Sequence, residues 1–98
     1  MNRGQKNHAD ECIVAIHGKG IGREGIRYII AKLANPAEEP LVENQGEKNR
    51  ASECLVMIGR YGFSKDVKEY IIAELTRTLE RLLKKEERTD NEMKSNFL

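Results

Sequence analysis

Apolar residues fall into four stretches: 11–16, 26–33, 53–58 and 67–83. The first and third, ECIVAI and ECLVMI, are short, rich in β-branched residues and apolar on both faces, which predicts two strands. Cys12, Val14 and Ile16 alternate onto one face, and Cys54, Val56 and Ile58 do the same. Their other faces carry Ile13 and Ala15, or Leu55 and Met57. Strands apolar on both sides belong at the centre of a sheet or under a second layer.

The second and fourth stretches have helical spacing. Ile26, Ile29, Ile30 and Leu33 share one face, and Asn35-Pro36 ends the run. Gly25 weakens that helix by about 1 kcal/mol relative to alanine. In the fourth stretch Ser64 is a good N-cap, Asp66 lies in the first turn, and the pattern continues to about Lys85. Pro40–Val42 reads as a further short strand and Asn44-Gln45-Gly46 as a turn. The predicted order is β-α-β-β-α: an α+β fold in which a small antiparallel sheet carries two helices. Residues 1–85 form its single domain, and the polar segment 86–98 is expected to be a disordered tail from which Phe97 and Leu98 could still dock.

The chain is a tandem duplication. Shifting it by 42 positions aligns residues 2–33 with 44–75 at 15 identities in 32 ungapped positions, where about two are expected by chance. Asn2/Asn44, Ala9/Ala51, Glu11/Glu53, Cys12/Cys54, Ile16/Ile58 and Gly20/Gly62 are among the identical pairs. Tyr28 to Ala31 repeats whole as Tyr70 to Ala73. Two such units are expected to pack about a pseudo-twofold axis, so that one chain imitates a dimer.

Composition narrows the function classes. With 98 residues, 34% charged and 39% hydrophobic, this is a chain of globular type with one modest core. A net charge of +1 with no Trp argues against a broad basic or aromatic surface, so nucleic-acid binding would rest on local patches. Met1 to Asp10 holds no apolar run, and no stretch approaches the ~20 residues of a membrane span. The expected location is cytoplasmic, with Cys12 and Cys54 reduced.

The glycine loops carry the most suggestive chemistry. Copy one has His17, Gly18, Lys19, Gly20 and Arg23; copy two has Gly59, Arg60, Gly62 and Lys65. Each leads into a helix N-terminus, where free amides and the helix dipole attract anions, and each supplies two basic side chains. Neither loop fits a Walker A or a dinucleotide-binding fingerprint. Tight turns also use glycine for backbone reasons alone.

Residues 14–22, VAIHGKGIG, resemble the HGKGxG segment of Smr domains, a family of nucleic-acid nicking and binding modules in which the segment runs from a strand into a helix. The resemblance implies a role for His17, Gly18 and Lys19 and, more remotely, nuclease activity. Gly59 stands where His17 stands in the second copy. Gly59-Arg60-Tyr61-Gly62 also resembles the GxxG signature of KH-type RNA-binding domains, where backbone amides grip phosphates.

Other chemistry has less behind it. Cys12, Cys54, His8 and His17 could in number ligate zinc, but no CxxC or HxxxH half-site exists. Small buried hydrophobes account better for the cysteines. Glu11 and Glu53 could pair across the pseudo-axis, yet charged strand ends are common. No Ser-His-Asp arrangement is evident, so a non-catalytic protein without cofactor or metal is expected. Ile72, Leu75, Leu79 and Leu82 follow the 3-4-3 spacing of a short coiled coil and are candidate self-association residues, or simply a core face. The leading expectation is a regulatory protein binding nucleic acid or another phosphate-bearing ligand through the two loops. An adaptor acting through the apolar face of the second helix is the alternative.

Overall fold

The computed structural model describes residues 1–96, with side-chain surroundings through Lys85. The chain forms four helices: α1 (Arg3–Gly18), α2 (Arg23–Ala34), α3 (Gln45–Arg60) and α4 (Lys65–Asn96). Among the described residues there is no strand, so the α+β fold with an antiparallel sheet is corrected to an all-helical one. The duplication survives the correction. α1 and α3 begin and end 42 positions apart, and so do the starts of α2 and α4.

Both expected strands lie inside helices. The buried positions of α1 are Ala9, Cys12, Ile13 and Ile16, a helical i, i+3, i+4, i+7 stripe rather than an alternation. Val14 and Val56, which a strand would have placed beside the cysteines, are 69% and 58% exposed. A six-residue window was too short to separate the two periods. What decides between them lies upstream. Asn2 accepts from the Gln5 amide and Gln5 returns a bond to the Asn2 amide, a capping box that starts α1. Asn44 likewise accepts from the Glu47 amide, so the expected turn at 44–46 is the start of α3. The expected strand at Pro40–Val42 is irregular chain, and Lys32 anchors the approach to it with bonds of 2.9 Å to the Pro36 and Glu38 carbonyls.

Consecutive helices of one copy do not pack on each other. α1 and α2 both pack on α3 and α4 of the other copy, so two open helix pairs interlock. The core is correspondingly shared: Ala9 and Ala51, Cys12 and Cys54, Ile16 and Ile58, and Ile29 and Ile71 are buried in matching pairs. Leu75 is fully buried, and Leu79 and Leu82 pack against this core. No helix among the described residues is long and apolar enough to cross a membrane. The expected polar tail, with Phe97 and Leu98, lies outside the described side chains.

Gly20 and Gly62 make the two interhelical turns, with φ of +67° and +61°. In that left-handed region a β-carbon costs about 1 kcal/mol or more. Gly59, by contrast, is helical and has open space where a β-carbon would stand. Gly62→Ala is therefore expected to lower the unfolding free energy by about 1 kcal/mol, and Gly59→Ala to raise it by up to about 1 kcal/mol. Chemical denaturation of both variants checks this; effects of the same sign would contradict the turn geometry.

Candidate functional site at the two interhelical turns

The loops leave helices rather than strands. Val14 to Gly22 runs from the last turns of α1 to the residue before α2, so the strand implied by the Smr resemblance is helix here. Since the first turn lies against the N-terminal part of α3, and the second against that of α1, α1 and α3 run antiparallel. The turns thus sit at opposite ends of a helix pair about 24 Å long. They do not converge on one ligand.

At the first turn the anion-attracting groups are already used. Gly22, the N-cap of α2, offers no side chain. Glu47 of α3 fills that role from the other copy, its Oε1 accepting from the Gly25 amide at 2.9 Å. The approach requires the glycine, because a β-carbon at Gly25 would collide with Ile21 and Glu47. Lys19 donates to Glu53 at 3.2 Å, an exposed pair of little energetic weight that nonetheless neutralises the lysine. His17 is exposed, but its Nε2 is 3.1 Å from Thr78 Oγ1 on α4. Gly18, Gly20 and Arg23 complete the exposed surface of this turn.

The second turn differs. Arg60 and Lys65 are exposed, and among the described residues neither takes part in an ion pair. Gly59 and Lys68 line a cleft beside it, with Leu33, Leu55 and Ile58 as its apolar wall. Three rings meet at this turn. Tyr61 lies parallel to Phe63 with centroids 5.1 Å apart, and 4.9 Å from the imidazole of His8 on α1. The sequence pattern does not single out these rings, because Tyr61 and Phe63 flank a glycine and have no aromatic counterparts in copy one, and His8 joins them only through the fold.

The remaining candidates are accounted for by packing. Cys12 and Cys54 are buried and free, and burial pushes both thiols up, so they stay protonated at neutral pH. No group of three or more potential metal ligands stands together among the described residues. Glu11 lies 3.7 Å from His8 and Glu53 pairs with Lys19, so each carboxylate faces a basic group rather than the other carboxylate. Leu75, Leu79 and Leu82 face the core, while Ile72 is half-buried.

The fold and the turns define a class: a helical tandem repeat whose two copies interlock and whose two turns carry different chemistry. The chain matches no protein-family model, no curated protein and no solved structure.

One contact between the copies is sensitive to pH. The Tyr70 hydroxyl on α4 donates to Asp10 Oδ1 on α1 at 2.7 Å. That bond, assisted by burial and by the charge of Asp10, pushes the phenol from 10 up to about 12. The folded state holds the proton more tightly than the unfolded state. Its contribution is therefore complete below about pH 10 and is lost as pH rises through about 12. The stability advantage of the natural chain over Tyr70→Phe is expected to shrink between pH 9 and 12, alongside a late tyrosinate absorbance change. An advantage independent of pH over that range would contradict the bond.

Proposed function

We propose that this is a small, non-catalytic regulatory protein of the cytoplasm that binds nucleic acid or another phosphate-bearing ligand at its glycine turns. The observation that carries the reading is the second turn, where Arg60 at the end of α3 and Lys65 at the start of α4 stand exposed and unpaired among the described residues. Two unpaired cations flanking a helix N-terminus suit a phosphate group, although Asp66 in the same first turn opposes it in part. The first turn contributes less, since Glu47 and Glu53 already serve its amide and its lysine.

The alternative, an adaptor working through the apolar face of α4, has less surface left, because Leu75 lies in the chain's own core and Leu79 and Leu82 are partly buried against it. A nuclease of Smr kind would need His17 released from Thr78.

Fluorescence anisotropy with mixed short DNA and RNA, at about 50 and 200 mM salt, tests the reading. Binding is expected to weaken steeply with salt. Replacing Arg60 and Lys65 together by alanine should lower the log–log salt slope by about two, with an unchanged melting temperature. Lys19→Ala should cost less than Arg60→Ala. Absence of binding at tens of micromolar protein would overturn the proposal.

A further inference from the structure

Resting on that reading, we infer that the ligand is single-stranded nucleic acid held at the second turn alone, with a base stacked on the His8–Tyr61–Phe63 rings and phosphates at Arg60 and Lys65. The rings form a contiguous aromatic cluster: Phe63 is stacked on Tyr61 at 5.1 Å, and His8 meets Tyr61 at 4.9 Å with its plane tilted by 33°. It is open to solvent: Tyr61 is 43% exposed and the His8 side chain 53%. Exposed rings beside unpaired cations are the combination that grips a single strand, since every base offers a π-face and every linkage a negative charge. A duplex hides its base faces in its own stack, which is why the partner is single-stranded.

The duplication supplies an internal control. The first turn adopts the same left-handed glycine geometry, yet carries Lys19 and Ile21 where the second carries Tyr61 and Phe63, and Arg50 of α3 corresponds to His8. Aromatic rings are therefore not needed to build the turn. The fold explains Phe63 in part, because it packs against the core, but it does not require an exposed Tyr61 or the ring of His8 over it.

The test uses the full chain and four probes of about twelve nucleotides: oligo-dT, oligo-U, a matched duplex, and an abasic strand with the same number of phosphates. Oligo-dT or oligo-U is expected to bind at least about tenfold tighter than either the duplex or the abasic strand. Tyr61→Leu should reduce single-strand affinity to the abasic level. Because the abasic comparison uses the unaltered protein, it decides the matter even if Tyr61→Leu fails to fold. Equal affinity for normal and abasic strands, or a preference for duplex, would overturn the stacking inference while leaving a phosphate-binding turn intact. Failure to bind any of the four would overturn both.

Discussion

Neither copy of this chain has a core of its own, and everything else in the structure follows from that. α1 and α2 diverge from their turn without packing together, so their apolar stripes are covered only by α3 and α4. Each fully buried Ile or Leu contributes about 1.5–3 kcal/mol by leaving water, and most of that burial at Ile16, Ile29, Ile58 and Ile71 occurs between copies. Two separate chains would have to meet in solution before gaining it. Joining them through residues 35–44 makes the encounter intramolecular. The connection is itself ordered by Lys32, which bonds two of its carbonyls and the Glu39 carboxylate, and the lysine holds that carboxyl below its usual range.

Interlocking also places the turns. Since the copies run antiparallel across the α1/α3 pair, each turn rests on the opposite copy's first helix. What that helix offers therefore decides what the turn can do. Glu47 reaches over Gly25 and occupies the start of α2. The corresponding pair on the other side is Gln5 and Val67. Gln5 spends its side chain on its own capping box, and Val67 is fully buried. With glycine exchanged for valine and glutamate for glutamine, the carboxylate contact at the start of α2 has no counterpart among the described residues at the start of α4.

The duplication, the second helix and the importance of the glycines were legible in the sequence because each leaves a local mark. The first helix of each copy was not. ECIVAI and ECLVMI are β-branched and apolar all round at short range, and only the burial of Ala9 and exposure of Val14 reveal the period of 3.6. Asn2-x-x-Gln5 was the available start signal, but it lies well ahead of the apolar run it serves. At the candidate site, the basic residues were legible by spacing. Their neutralisation was not, because Glu47 and Glu53 lie 22 and 34 positions from the groups they meet. Caps, core and turns account for most of the identities between copies. Asn7, Glu11 and Val14, repeated as Asn49, Glu53 and Val56, form an exposed stripe in which Glu11 meets His8 and Glu53 meets Lys19.

A symmetric dimer must build both of its turns from one sequence, so any side chain that strengthens the fold at one turn appears at the other. Fusion removes that constraint. Copy one can retain Gly25 and accept a carboxylate from copy two, stabilising the start of α2, while copy two exchanges Lys19 and Ile21 for Tyr61 and Phe63. The shared features are those the interlocked core needs: the N-cap asparagines, the buried Ala, Cys and Ile pairs, and the left-handed glycines. The differences fall at and beside the turns, some exposed, as at Lys19 and Tyr61, and some reaching the core, as at Ile21 and Val67. That divergence lets one turn take a carboxylate from the opposite copy while the other keeps its cations exposed.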